Sequence, residues 1–307
     1  MKRKDILGIK DLTKAEINEI LDVANEMRDM IDRREKSAEL RGKNVATLFY
    51  ENSTRTKNSF ETAAKNLGAS TTSISVASSS VQKGESLIDT GKTLDAIGMD
   101  VMILRHPVAG APRLLADNVN ASVINAGDGM NEHPTQALLD LMTAQRRFVD
   151  LNGIKLVIVG DIKHSRVARS DVMLFTKFGA EVTVCAPETL MPAGMEALGA
   201  TVETDFEVAA KGANIIMPLR IQRERMDQAY FSTLEEYRRY YGVTEKRLIG
   251  CDSDVIVMHP APINREAEID GDVADGYRSL IQEQVTNGVA VRMALLSLII
   301  NSRGESV

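Results

Sequence analysis

Apolar residues recur at helical spacing through Ile17, Ile20, Leu21, Ala24, Met27 and Ile31, and Thr13 with Glu16 forms a capping box ahead of them. A β-like run from Asn44 to Tyr50 follows, and the loop Glu51-Asn52-Ser53-Thr54 leads into a predicted helix ending near Gly68. Beyond it, short apolar runs alternate with helical patterns. Strands are predicted at Ser70–Ser75, Asp100–Arg105, Ser122–Asn125, Lys155–Val159, Glu181–Cys185, Ile215–Leu219 and Val255–Met258, with helices at Pro134–Asp150 and Arg166–Phe178 among those between them. Alternation of this kind builds parallel sheets with helices on both faces. Asn152-Gly153 breaks the chain after a long helix, and a new strand opens at once. The expected fold is therefore α/β with two domains, each a parallel β-sheet flanked by helices and linked by interdomain helices: residues 1–134 and 150–283. By pattern alone the last helix, about Glu283 to Arg303, can return to either domain; 284–307 is expected to pack back on the first.

A length of 307 residues suits two domains, each large enough for its own core. With 44% apolar residues and a net charge of −6, the chain is neither disordered nor built to coat nucleic acid or an anionic membrane. The absence of tryptophan and an aromatic content of 4% argue against base stacking as its main work. Two cysteines, Cys185 and Cys251, can make neither a disulfide framework nor a four-cysteine zinc site. Asp5, Lys10 and Asp11 interrupt the start where a secretion signal needs an apolar run, and Met293–Ile300 is too short to span a bilayer. A cytoplasmic protein with no membrane or nucleic-acid partner is expected.

Several motif fragments fail. Gly91-Lys92-Thr93 lacks the upstream glycine of a phosphate-binding loop, and Gly160-Asp161 lacks the further glycines of a dinucleotide fingerprint. Asp270, Asp272 and Asp275 do not have calcium-loop spacing, and no histidine pair stands at helical metal-site spacing, so no metal or cofactor is expected. Three signals survive. Ser53-Thr54-Arg55-Thr56, between a strand and a helix, gathers three hydroxyls and a guanidinium where free N–H groups favour an anion. An ordinary N-cap accounts for one of those hydroxyls and leaves Arg55 unexplained. Arg105, His133 with Gln136, Arg166 and Arg220 fall at predicted strand ends or helix starts, where open parallel sheets bind ligands; any one alone reads as a surface arginine or a turn histidine. Lys83-Gly84-Glu85-Ser86, after a serine cluster, is either a plain loop tip or a loop able to close over a phosphate.

Together these segments resemble the transcarbamoylase family, within it the branch that uses aspartate. The resemblance runs nearly end to end: Phe49-Tyr50-Glu51-Asn52-Ser53-Thr54-Arg55-Thr56, Lys83-Gly84-Glu85-Ser86, Arg105-His106-Pro107, His133-Pro134-Thr135-Gln136, Gly160-Asp161 through Arg166, Leu219-Arg220-Ile221-Gln222 and His259-Pro260-Ala261-Pro262. The ornithine branch usually carries cysteine where Thr135 stands and His-Cys-Leu-Pro near His259, and neither is present.

The resemblance implies carbamoyl transfer from carbamoyl phosphate to L-aspartate, giving N-carbamoyl-L-aspartate and phosphate, in pyrimidine synthesis. It implies that Ser53, Thr54, Arg55, Thr56 and Arg105 hold the phosphate. Arg55, Thr56 and His133 would point donors at the carbonyl oxygen, while Gln136 and the carbonyls of Pro260 and Ala261 accept from the carbamoyl NH₂. Arg166 and Arg220, with Gln222 and Lys83, would meet the aspartate carboxylates. It further implies a homotrimer with shared active sites, Ser79 and Lys83 coming from a neighbouring subunit, and leaves open association with a regulatory chain or a dihydroorotase. The competing readings are a transcarbamoylase for another amine such as ornithine, a non-catalytic metabolite-binding chain, and a nucleotide-binding module.

Overall fold

The computed structural model describes residues 1–75, 84–222 and 233–304. Helix α1 (Lys14–Asp32) opens on the expected capping box: the Thr13 hydroxyl accepts from the Glu16 N–H at 3.2 Å, and the Glu16 carboxylate accepts from the Thr13 N–H at 2.9 Å. Then β1 (Asn44–Phe49), α2 (Thr54–Asn66), β2 (Ser70–Ser75), α3 (Leu87–Ile97), β3 (Val101–His106), α4 (Ala111–Ala116) and β4 (Ser122–Asp128) alternate. The four strands form one parallel sheet in the order β2-β1-β3-β4. Ala46, Leu48, Met102, Leu104 and Val123 of this sheet pack against Leu94 of α3 and Leu115 of α4.

Helix α5 (Pro134–Arg147) leads to β5 (Lys155–Val159), α6 (Arg166–Lys177), β6 (Glu181–Cys185), β7 (Thr201–Glu203), α7 (Phe206–Ala210) and β8 (Ile215–Pro218). After α8 (Leu234–Tyr241), α9 (Glu245–Leu248), β9 (Ile256–Val257) and α10 (Gly271–Ala274), the chain ends in α11 (Ile281–Gly304). The second sheet is also parallel, ordered β7-β6-β5-β8-β9. Val157, Val159, Ile216 and Val257 form its core with Phe206, Val243, Leu248 and Ile269.

The chain divides into two compact units: Met1–Leu138 with Thr286–Val307, and Leu139–Val285. Both divisions fall inside continuous helices, α5 and α11. Within unit 1, α11 is pinned to α2 and to the segment before β1. Arg292 donates to Ser59 at 2.8 Å and lies over the Phe60 ring, and the Ser297 hydroxyl donates to Glu39. The run Met293–Ile300 belongs to a longer apolar helix: by length and composition Ile281–Ser302 passes as a membrane span, yet 67% of its most apolar window is buried inside the protein. Val291, Met293, Leu295, Leu296 and Ile299 are core residues, each worth roughly 1.5–3 kcal/mol when fully buried.

β1, β3 and β8 end within a residue of expectation, and three strands differ by more. β4 runs on to Asp128 because Asn125 and Asp128, buried in a strand, satisfy each other and nearby backbone. β9 has two residues instead of four, since Met258 is the last to donate to the sheet, to the Ile216 carbonyl, before the chain turns at His259. β7 is an additional edge strand of three residues, too short for its alternation to register.

Candidate active site

In a parallel sheet the ligand-binding crevice lies at the carboxyl edge, where successive connections depart in opposite directions. In unit 1 that point is between β1 and β3: the chain leaves β1 towards β2 on one side and returns to β3 on the other. Ser53–Thr56 follow β1, and Arg105 stands opposite Phe49 near the end of β3. The Tyr50 N–H donates to the Arg105 carbonyl at 2.9 Å, which holds the two strand exits side by side.

Ser53 is the first residue before α2, but its hydroxyl caps no N–H of that helix. The capping explanation therefore does not account for it, and the helix opens with Thr54 and Arg55 exposed and Thr56 buried. Such a start offers N–H groups and hydroxyls to an anion. Arg105 Nε lies 3.4 Å from Glu51 Oε2, both side chains largely buried, so one carboxylate already tempers the positive charge of this edge. An anion bound here would compete with Glu51 for that guanidinium. His106 has a different role: its Nδ1 accepts from the Val108 N–H at 3.0 Å, and burial pushes its pKa below the ordinary 6.5.

His133 and Gln136 open α5, the next element after β4, and both are buried. A knot of polar groups sets their position. Asp128 Oδ1 accepts from Asn125 Nδ2 at 2.8 Å and from the Glu132 N–H at 3.2 Å; Asp128 Oδ2 accepts from the Gly110 N–H at 2.7 Å and Asn131 Nδ2 at 3.0 Å. Glu132, 2% exposed, accepts the Ile9 N–H at 2.5 Å, tying the N-terminal segment to the residue before His133. A Cβ on Gly8 would stand 2.4 Å from Glu132 Oε1, so any side chain there would have to push this carboxyl aside. Burial raises the Glu132 pKa to about 7, despite the opposing Ile9 hydrogen bond and the Lys10 charge.

Unit 2 repeats the arrangement. Its switch point lies between β5 and β8, and Arg166 and Arg220 follow those strands. Gly160, φ +130°, makes the turn out of β5; a Cβ there would meet Tyr237 Oη at 2.9 Å and the Leu219 carbonyl at 3.0 Å. Asp161 is fully buried: Oδ1 takes the His164 N–H at 3.2 Å and faces His164 Nδ1 at 2.7 Å, while Oδ2 takes the Gln222 N–H at 3.2 Å. Gln222 Nε2 donates to the His164 carbonyl at 3.2 Å. The loops after β5 and β8 are thus stitched together, with Arg166, 3% exposed, at the first position of α6 and Arg220 half-buried. In this structure the Gln222 amide serves that stitch. Pro260 and Ala261 lie on the loop after β9, the strand beside β8.

Of the expected site residues, the first unit brings Ser53, Thr54, Arg55, Thr56 and Arg105 to the exits of β1 and β3, with His133 and Gln136 after β4. The second brings Arg166, Arg220 and Gln222 to its own switch point, with Pro260 and Ala261 after β9. Ser79 and Lys83 lie outside the described residues. Glu51, Asp128, Glu132, Asp161 and His164 were not anticipated as parts of the site. Glu51, Asp161 and His164 do lie within the segments that carry the family resemblance; for Asp128 and Glu132 the only signal is polar residues crowded around Gly127 and Gly129. Among the described residues no three His, Cys, Asp or Glu side chains converge as metal ligands would.

Residues 4–146 match the family profile described as aspartate/ornithine carbamoyltransferase, carbamoyl-P binding domain, and 152–299 match its Asp/Orn binding domain. The aspartate carbamoyltransferase catalytic subunit of Ruminiclostridium cellulolyticum is 54% identical over 300 residues, covering 97% of this chain and 96% of that protein. Aspartate transcarbamoylase from Trypanosoma cruzi, solved in complex with carbamoyl aspartate and phosphate, superposes with a TM-score of 0.88 at 30% identity, over 96% of this chain and 95% of that one. Ornithine carbamoyltransferase from Pyrococcus furiosus gives 0.86 at 28% identity, over 97% of each, so the fold by itself does not choose the amine. The matches span both units, and the chain belongs to the aspartate/ornithine carbamoyltransferase family.

Proposed function

We infer that this chain transfers the carbamoyl group of carbamoyl phosphate to the amine of L-aspartate, giving N-carbamoyl-L-aspartate and phosphate, a step of pyrimidine synthesis. The observation that carries the reading is 54% identity, along nearly the whole chain, to aspartate carbamoyltransferase catalytic subunits. The geometry agrees with it: each sheet has its switch point flanked by two arginines, Arg55 and Arg105 in one and Arg166 and Arg220 in the other. Two anionic substrates need that charge, whereas the cationic side chain of ornithine is repelled by Arg166 and Arg220.

In this reading Ser53, Thr54, Arg55, Thr56 and Arg105 bind the phosphate. Arg55, Thr56 and His133 direct donors at the carbonyl oxygen, where charge accumulates as the amine attacks; preorganised donors at that oxygen are worth most in the transition state. The C–N bond forms, the tetrahedral carbon collapses, the C–O bond to phosphate breaks, and the proton lost by the amine leaves on the departing phosphate. The rate comes from orientation and charge stabilisation, with no covalent enzyme intermediate. Gln136 and the carbonyls of Pro260 and Ala261 accept from the carbamoyl NH₂. Arg166 and Arg220, with Gln222 and Lys83, engage the aspartate carboxylates.

We further propose a homotrimer in which Ser79 and Lys83 of one copy complete the site of the next, with a regulatory chain or a dihydroorotase as candidate further partners. A reducing cytoplasm suits the two free thiols, whose pKa values burial pushes up to about 12 for Cys185 and about 11 for Cys251. The deciding experiment measures phosphate release from carbamoyl phosphate with L-aspartate and with ornithine side by side. Release dependent on aspartate, and reduced roughly 10²- to 10³-fold in Arg55→Ala, is expected. Release dependent on ornithine instead, or undiminished by Arg55→Ala, overturns the reading.

A further inference from the structure

A buried chain of hydrogen bonds in unit 2 ends on the loop that carries Pro260 and Ala261. Gln284, in the first turn of α11, is 2% exposed. Its Nε2 donates to Asp140 Oδ1 at 2.6 Å, and its Oε1 accepts the His259 N–H at 2.8 Å. An amide has one donor end and one acceptor end, and here both are dictated: a carboxylate accepts only, and a backbone N–H donates only. The side chain therefore has one orientation. Its own backbone is fixed as well, because Leu280 donates to the Val257 carbonyl at 2.8 Å and Val257 to the Arg278 carbonyl at 2.8 Å, joining the start of α11 to β9.

What Gln284 holds is a strained segment. Ala261 has φ +53°, a region that non-glycine residues occupy only when neighbours impose it. Its N–H donates to His259 Nδ1 at 2.7 Å, so the His259 ring sets the turn; the other ring nitrogen lies 3.3 Å from Glu268 Oε1, which also accepts the Asn264 N–H. Gln284 grips the root of this loop at the His259 backbone. Behind it stand two buried carboxyls, Asp140 on α5 and Asp171 on α6. Burial, and then the charge of Asp140, raise the Asp171 pKa far above the usual carboxyl range, while Asp140 Oδ1 is the atom that accepts from Gln284.

We propose that Gln284 is a positioning residue for carbamoyl transfer: by bridging Asp140 and the His259 N–H, it sets where the carbonyls of Pro260 and Ala261 stand. The proposal rests on the reading that those carbonyls accept from the carbamoyl NH₂. Acetyl phosphate separates the two ideas, because it has a methyl group where carbamoyl phosphate has NH₂. If those carbonyls accept from the NH₂, the parent is expected to favour carbamoyl phosphate strongly in aspartate-dependent phosphate release. Gln284→Leu, close in volume but unable to bridge, is expected to lower kcat with carbamoyl phosphate at least 10-fold, to change kcat with acetyl phosphate less than threefold, and to leave KM for aspartate within twofold. Gln284→Glu restores the bridge only when protonated, its O–H then donating to Asp140 and its carbonyl accepting from His259. Its activity at pH 6 is expected to be at least half that of the parent and to fall relative to the parent as pH rises. A Gln284→Leu protein that keeps the parent's donor preference, or a Gln284→Glu protein no better than Gln284→Leu at pH 6, overturns the proposal. Should Gln284→Leu not fold, the pH course of donor preference in Gln284→Glu decides alone, and a preference that does not change with pH overturns it. A parent that uses both donors equally overturns the reading of Pro260 and Ala261 instead.

Discussion

Replacing Glu132 by glutamine should make the protein more stable, and by an amount that grows with pH. The side chain is 2% exposed, and burial raises its carboxyl pKa from the ordinary 4.5 to about 7. The folded protein therefore binds this proton more tightly than the unfolded chain does. Stability contributed by the group falls as pH rises from about 4.5 to about 7 and is level outside that window. The full effect is roughly 3 kcal/mol, of which roughly 2.5 kcal/mol falls between pH 5 and pH 8. Glutamine keeps an acceptor for the Ile9 N–H and has no proton to lose. Urea unfolding of parent and Glu132→Gln at pH 5, 6, 7 and 8, followed by circular dichroism since the chain lacks tryptophan, gives the difference directly. Other carboxyls titrate in both proteins and cancel. The advantage of the variant should increase by roughly 2.5 kcal/mol across that range. A difference flat to within about 0.5 kcal/mol would refute the claim that Glu132 is held protonated by burial.

Gly160→Ala forces a side chain to φ +130° and into contact with Tyr237 and the Leu219 carbonyl, and should cost roughly 2–4 kcal/mol in thermal or urea unfolding; a loss below about 1 kcal/mol would mean the turn has room to relax. Asp161→Asn replaces an acceptor by a donor facing either His164 or Gln222, costing about 1–3 kcal/mol, and should raise KM for aspartate more than KM for carbamoyl phosphate. Steady-state kinetics with each substrate varied would expose the error if both constants moved alike. Mixed assemblies of Arg55→Ala and Lys83→Ala chains should regain activity that neither variant has alone, because some sites would then draw intact residues from two copies. Mixed oligomers, verified by mass, that stay inactive would rule out a shared site.

Elements held by local chemistry were legible in the chain. The Thr13–Glu16 capping box, the apolar strands β1, β5 and β6, and the hydroxyl-rich start of α2 each declare themselves within a few residues. So were the arginines after β1, β3, β5 and β8, because parallel sheets present ligands at strand exits. What stayed hidden was long-range polar pairing. Asp161 meets Gln222 across 61 residues and Gln284 meets Asp140 across 144, and nothing local distinguishes these side chains from solvated ones. The strand expected to end at Asn125 runs on to Asp128, and most of the polar stretch to Glu132 is buried around the Asp128 knot. Ser53 has the residue type and position of a helix cap, yet its hydroxyl caps no N–H of α2.

The placement of α11 has a consequence for how the protein is made. Residues 139–285 form one unit continuous in the chain and are all translated before α11 is complete, whereas the unit containing Ser53–Thr56 draws its last helix from residues 286–304. Phe60, Ser59 and Glu39 wait for Arg292 and Ser297, which are translated more than two hundred positions later. The first half synthesised is thus the last to be completed, and a nonsense codon late in the message would strike the half that carries Ser53–Thr56 while sparing the half translated just before it.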